Sequence, residues 1–267
     1  MEKILFALKN TMNVPTVFGA FHLVTIAAVI VVTVLLCVFF RDANNKTYRI
    51  ILLIIWSIMA TFEVIKHFIC SYDITADNQI IWGYDWAAFP LQLCSFPLYV
   101  LPFVACLKDG KVREALSTFS FTFLLLGGVA VMATPATVFK SIIFLNIQTM
   151  LHHGLQIASG IFIAVHNRKN IRLLSFLYAV LAFIAVVIVA QVFNVVMHAI
   201  YPEPRINMLF ISPYFKKNMP IFSDTWAKIH WVPAMLLYIA ALSTLSFIIF
   251  MIFYVIFFLL YRRKKSA

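Results

Sequence analysis

The chain has 267 residues, of which 63% are hydrophobic and 12% charged, and its mean hydropathy is +0.97. Soluble domains carry about 45–50% apolar and about 25% charged residues, so an ordinary water-facing surface, a disordered chain and a collagen-like repeat are all excluded. The net charge of +11 comes from Lys and Arg placed in short loops and in the tail Arg262-Arg263-Lys264-Lys265, which is topogenic placement and not a face for nucleic acid.

Seven apolar segments follow one another, at residues 19–40, 48–71, 86–107, 113–134, 141–165, 172–200 and 231–261. Each approaches or exceeds the ~20 residues that cross a bilayer as a helix. Their continuous apolar character, without alternation, favours helices over a barrel. The expected fold is therefore an all-α membrane protein, a seven-transmembrane helix bundle in a single domain. Residues 1–10 are only weakly apolar, and the first long run has no small-residue cleavage site, so it reads as a retained helix.

Basic residues set the orientation. Loops after the first, third and fifth segments carry Arg41, Lys46, Arg49, Lys108, Lys111, Arg113, Arg168, Lys169 and Arg172, and the tail lies on the same side. The opposite side carries Lys3, Lys9, Lys140, Arg205, Lys216, Lys217 and Lys228. This bias puts the N-terminus outside and the C-terminus in the cytoplasm of a cell membrane, read as a bacterial plasma membrane. Residues 72–85 form an acidic outer loop. Residues 201–230 form a long outer loop, a lid or an element lying at the headgroup level.

Ionisable groups inside a bilayer are costly and mark function by default. Cys94 lies about 12 Å from the outer end of the third segment, and His152 and His153 about 15–18 Å from the outer end of the fifth, at 1.5 Å per residue. Glu63, Lys66 and His67 share one face of the second segment. Asn146, Thr149 and His153 share one face of the fifth, and Gln191, Asn194 and His198 one face of the sixth. With His22 they gather in the outer half of the bundle, so one outward-facing cavity is expected. Interhelical hydrogen bonding is the plainer account of Gln191, Asn194 and Asn146, and a structural ion pair that of Glu63 with Lys66.

The third segment reads Trp86-Ala-Ala-Phe-Pro-Leu-Gln-Leu-Cys94-Ser-Phe-Pro97-Leu-Tyr-Val-Leu-Pro102. Pro97 cannot donate to the carbonyl of Leu93, so a kink is expected beside Cys94, with Gln92 and Ser95 adding polar capacity. Cys37, Cys70 and Cys106 read as inert apolar residues; no CxxC pair supports a disulfide or zinc scaffold. A buried thiol needs a base to become a nucleophile, and a histidine at matching depth supplies one.

At these positions the sequence resembles the YwaF family of seven-helix membrane proteins. The resemblance rests on Phe18-Gly-Ala-Phe-His22-Leu23, Glu63, Pro90-Leu91-Gln92-Leu93-Cys94, His153-Gly154-Leu155 and Asn194. Gln92 stands where the family has histidine, and the family's Asn-Tyr and Lys-Pro signature is poorly kept in residues 201–230. That family is similar to a eukaryotic transmembrane acyltransferase of ether lysophospholipids, and more distantly to androgen-induced membrane hydrolases of fatty acid esters. The resemblance implies Cys94 as acyl-accepting nucleophile and His153 as its base.

The first functional reading is thus a lipid acyltransferase or acyl hydrolase. Its substrate is a phospholipid or lysophospholipid, with no cofactor and no metal. His22, Glu63, Lys66, His67, Gln92, Asn146, His152, Gln191, Asn194 and His198 are supporting or substrate-binding residues, and His152 is an open alternative to His153 as base. The alternative is a small-solute transporter or channel, in which Glu63, Lys66 and the histidines line a pathway and Gly127-Gly128 breaks a helix. A retinal protein is disfavoured because residues 231–261 hold no lysine. A histidine metal site lacks HExxH-type spacing.

Overall fold

A computed structural model gives the fold and describes residues 2–202, 206–215 and 229–265, with side chains as far as residue 260. The chain is mostly helical. A short α1 (Glu2–Leu8) precedes α2 (Ala20–Phe40) and α3 (Asn45–Ile69). A hairpin of β1 (Tyr72–Ile74) and β2 (Ile80–Trp82) follows, then 3-10 turns at Trp86–Ala88 and Leu93–Ser95, and α4 (Pro97–Cys106). Next, α5 (Lys111–Phe119), a π turn (Ser120–Leu124) and α6 (Leu125–Ala133) run on as one rod. The chain continues through α7 (Ile143–His166), α8 (Leu173–Ile200), the segment 206–215 and α9 (Trp231–Lys265).

Among the described residues, five stretches are long and apolar enough to cross a membrane: Ala20–Phe40, Asn45–Ile69, Lys111–Ala133, Leu173–Ile200 and Trp231–Leu260. Their outward faces are apolar, as with Val24, Ile30, Val38 and Phe39 on α2, a surface that water does not tolerate and lipid does.

Of the other two expected segments, 86–107 differs from the sequence reading and 141–165 is a helix as expected, though too polar to count with the five. Residues 86–107 do not form one helix. Gln92 is extended (φ −78°, ψ 154°), and Pro97 does not kink a continuing helix but begins α4 at the position where its missing N–H is harmless. Pro102 inside α4 leaves the Leu98 carbonyl without its helical donor, and the Trp56 indole N–H takes it at 2.7 Å. The other segment, α7, is a full 24-residue helix but carries Asn146, Gln148, His152, His153 and Gln156 on buried positions. It packs against α2, α3, α6 and the π turn, so protein and not lipid surrounds its polar side chains. The hairpin is a further departure from the all-α expectation. It sits in the outer loop 72–85, where the buried Tyr72 donates its hydroxyl to the Leu5 carbonyl at 2.8 Å and so anchors α1.

Close approach explains two glycines. A Cβ at Gly154 would stand 2.4 Å from Val29 Cγ2, and one at Gly128 would stand 3.2 Å from the His153 carbonyl oxygen. Gly154 lets α2 cross α7, and Gly128 lets α6 do so. Gly127-Gly128 therefore forms a packing face inside a continuous helix and does not break it. Below this level the core is aromatic, with Phe119, Phe121, Phe123, Phe162, Phe183 and Phe250 almost wholly buried.

Arginines from the predicted inner loops gather at one end of the molecule and cap helix carbonyls there. Arg113 donates to Val104 O, Arg49 to Leu107 O, and Arg168 to Arg41 O and Val165 O. Arg168 also pairs with Asp42, and that hydrogen bond holds the Asp42 carboxyl below its ordinary range. Arg205, Lys216, Lys217 and Lys228, counted above for the opposite side, lie outside the described residues, as do the side chains of Arg262, Arg263, Lys264 and Lys265.

Candidate functional site

Cys94 occupies the 3-10 turn immediately before α4, half-buried, between Pro90 and Pro97. The turn spends few backbone groups on itself. Ser95 N–H bonds Gln92 O at 2.8 Å, and the Cys94 carbonyl is left for a side chain from another helix. His152 on α7 donates its Nε2–H to that carbonyl at 3.0 Å. Contact between the cysteine segment and α7 is therefore direct. The depth reckoned from a helical rise does not apply, because no continuous helix leads to Cys94. From the other side, Gly127 on α6 lies against the Cys94 backbone, since a Cβ there would stand 3.6 Å from Cys94 N.

The tautomers of the two histidines follow from their partners. A carbonyl only accepts, so His152 carries its proton on Nε2 and its Nδ1 is a bare lone pair. His153 donates Nδ1–H to Thr149 O at 2.6 Å, which leaves Nε2 bare. Both bare nitrogens are buried without a hydrogen-bond partner. The rings lie 5.6 Å apart in an edge-on arrangement. Among the described residues, no hydrogen bond joins the Cys94 thiol to either imidazole.

A charged cluster adjoins them. Lys66 Nζ lies 2.6 Å and His67 Nε2 3.3 Å from Glu63 Oε1 on α3, as the helical spacing implied. Gln148 on α7 donates to Glu63 Oε2 at 2.8 Å, and the Tyr84 hydroxyl lies 2.6 Å from His67 Nδ1. Glu63 and Lys66 are within electrostatic range of both Cys94 and His152.

Part of the expected outer loop occupies the side where an outward-facing cavity is expected. Residues 206–215 fold back into the bundle, with Ile206, Asn207, Met208, Leu209, Ile211 and Ser212 buried. Asn194 on α8 fastens this segment with both ends of its amide, accepting from Met208 N at 2.7 Å and donating to Met208 O at 3.0 Å. Gln92 donates to Asn207 O at 2.9 Å, and His198 stacks on Tyr214 with ring centroids 3.7 Å apart. Leu209 and Phe210 adopt left-handed backbone (φ 53° and 60°) to make the turn, an uncommon conformation for side-chain-bearing residues. This part of the expected outer loop is thus a plug inside the bundle. The rest of that loop, 203–205 and 216–228, lies outside the described residues.

Two expected site residues serve the scaffold elsewhere. His22 accepts Phe18 N–H on Nδ1 at 3.0 Å and donates Nε2–H to Met132 O at 2.9 Å, so both nitrogens are satisfied away from Cys94. Asn146 closes the loop before α7 by pairing with both Lys140 N and Lys140 O. Gln191 makes no hydrogen bond to the cluster among the described residues, and its Oε1 is buried without a hydrogen-bond partner.

Sequence reasoning passed over Gln148 and Gln156. The face of α7 that meets Cys94 repeats as Gln148, His152 and Gln156, at i, i+4 and i+8, whereas the reading followed Asn146, Thr149 and His153. The Gln156 amide donates to Leu124 O at 2.6 Å. Its Oε1 joins Gln92 Oε1, His152 Nδ1, His153 Nε2 and Gln191 Oε1 as buried acceptors without a donor. An unpaired buried polar atom costs about 1–3 kcal/mol, so the bare acceptors of His152, His153 and Gln156 on α7 are open to a donor. Among the described residues, no three His, Cys, Asp or Glu side chains converge as a metal site.

No curated protein matches the chain, and neither does any solved structure. The model of a transmembrane protein family, described as the TMEM164 family, matches residues 17–263, from the turn before α2 into α9, and the chain belongs to the TMEM164 family.

Proposed function

We propose that this membrane protein transfers or hydrolyses acyl groups of phospholipid or lysophospholipid through Cys94. The observation that carries the reading is the pair of buried imidazoles with bare nitrogens on α7, one of them hydrogen-bonded to the turn that holds Cys94. A bare imidazole nitrogen accepts the thiol proton as Sγ attacks an ester carbonyl carbon. The C–O bond of the ester breaks, the proton passes to the departing oxygen, and an acyl thioester remains. A lysolipid hydroxyl or water, deprotonated by the same imidazole, then attacks the thioester and regenerates the thiol. Lys66 supplies positive charge within range of the developing oxyanion and thiolate. His153 is the base implied by the resemblance to the YwaF-type proteins and the ether-lipid acyltransferase. His152 has the shorter connection to Cys94. The seven-span, N-outside topology in a bacterial plasma membrane belongs to this same reading.

The transporter alternative fits less well. Phe121, Phe123, Phe183 and Phe250 are almost wholly buried in the hydrophobic core, and a conduit needs polar lining through both halves.

The test uses purified protein and a thiol-reactive acyl-ester lipid probe. Labelling lost in Cys94→Ala, and reduced about 100-fold or more in one of His152→Ala or His153→Ala, is expected for a thiol activated by one base. Labelling indifferent to Cys94 in folded protein overturns the reading.

A further inference from the structure

At the arginine-rich end of the bundle a cavity of about 540 Å³ opens between the start of α5, the α7–α8 turn and the start of α8. It is distinct from the Cys94 site: Thr118, at its inner wall, precedes Gly127, which touches Cys94, by nine residues along one rod, or about 13 Å at the helical rise. Four cations and two carboxylates line it. Arg113 pairs with Asp109, and Arg172 grips both oxygens of Glu114 at 2.6 and 2.8 Å. Lys111 and Lys169 make no salt bridge among the described residues, although Lys169 stands within electrostatic reach of Asp42.

The inner wall holds two hydroxyls, on Ser117 and Thr118, residues only 7% and 2% exposed. Neither has a hydrogen-bond partner among the described residues. Elsewhere on this rod Ser120 and Thr122 turn their hydroxyls back to the carbonyls of Leu116 and Thr118, the usual resting place for a helical hydroxyl. Two hydroxyls open to the cavity, two ammonium groups outside any salt bridge and the N-terminal end of the α5–α6 rod together fit a phosphate group.

A second cavity adjoins the first across Lys111. It shares Lys111 and runs along the seam of α5 and α8 between Ala115, Leu116, Leu181 and Ala182, with a volume of about 410 Å³ and almost wholly apolar walls. This groove leads from the helix starts toward the middle of the bundle, the direction an acyl chain takes from a headgroup at the membrane surface. A free phosphate or nucleotide has no use for it.

We infer that these neighbouring cavities bind a phosphate-bearing lipid, its phosphate against Lys111, Lys169, Ser117 and Thr118 and an acyl chain in the α5–α8 groove. This is a site additional to Cys94 and stands whether or not Cys94 is catalytic.

The test is native mass spectrometry of the detergent-solubilised full chain titrated with dioleoyl phosphatidic acid, with inorganic phosphate as competitor. The variants are Ser117→Ala/Thr118→Val, Lys111→Gln/Lys169→Gln, and the groove-filling Leu181→Trp. The control is Lys46→Gln/Lys108→Gln, which removes equal charge from the same end. Folding of each is checked by its thermal melting. Loss of about tenfold in lipid affinity is expected in each site variant, against less than about twofold in the control. Any one of three results overturns the inference: equal loss in the control, which marks diffuse charge attraction; no loss on removing the hydroxyls; or inorganic phosphate binding as tightly as the lipid and unaffected by Leu181→Trp, which makes the ligand a free anion.

Discussion

A carboxylate among apolar helices has to be neutralised where it stands, and Glu63 is held by Lys66, His67 and Gln148 together. Two of these partners were legible from spacing, because residues three and four apart share a helix face whatever the tertiary fold. Gln148 was not, since nothing in a sequence reports which face of α7 turns toward α3. The pairing makes a stability prediction. Removing one member of a buried pair strands the other charge, so Glu63→Gln is expected to cost about 3–5 kcal/mol, while Glu63→Gln with Lys66→Met recovers much of it. Thermal unfolding of the purified protein, followed by loss of the monodisperse species, checks this. Equal melting of wild type and Glu63→Gln would show that water already reaches the pair. The two adjacent histidines carry the same lesson. His152 and His153 are indistinguishable by composition and depth, and only their partners, Cys94 O and Thr149 O, fix which nitrogen of each is bare.

At the level of elements, length and apolarity found α2, α3, α8 and α9 and the α5–α6 rod to within a few residues of their observed limits. They failed for residues 86–96, where an apolar run with prolines at 90 and 97 was read as one kinked helix. Hydropathy reports what can be buried, not how the backbone is hydrogen-bonded, and here side chains such as His152 and Trp56 supply donors that a helix would have supplied. The segment 206–215 was also illegible. Its hold on the bundle depends on Asn194 meeting the backbone of Met208 across fourteen residues of sequence. In Asn194→Ala both Met208 groups lose their partner, at about 1–3 kcal/mol each, which exceeds what a short plug retains. A cysteine placed at the buried Ile211 is expected to resist a water-soluble maleimide in the parent and to react readily in Asn194→Ala. Unchanged protection would mean that Gln92 and apolar packing suffice to hold the plug.

Across the whole molecule, the two ends differ in chemistry. One gathers Arg49, Arg113 and Arg168 over helix carbonyls and pairs Arg172 with Glu114, and the other carries α1, the hairpin and Tyr84. Three of the arginines from which the N-outside orientation is read, Arg49, Arg113 and Arg168, thus cap helix carbonyls in the finished fold. That orientation is testable with single cysteines in a cysteine-free background. Asn78→Cys at the hairpin is expected to react with an impermeant maleimide in intact cells, and Lys46→Cys only after permeabilisation. The reverse pattern would invert the protein in its membrane and place the Cys94 cluster nearer the cytoplasm.

By itself the sequence determined that this is a membrane protein and, to within a few residues, where its long helices begin and end. Those properties are local or additive, being sums of transfer energies and fixed helical spacings. The tertiary structure alone decided which polar groups meet. It set Cys94 in a turn bonded to His152, sent His22 and Asn146 to scaffold duty, folded residues 206–215 back into the bundle and opened a cavity at the opposite end. The reason is that each of these outcomes depends on the rotation of one helix about its own axis against its neighbours. That rotation is set by close contacts such as Gly154 on Val29, which no single segment contains.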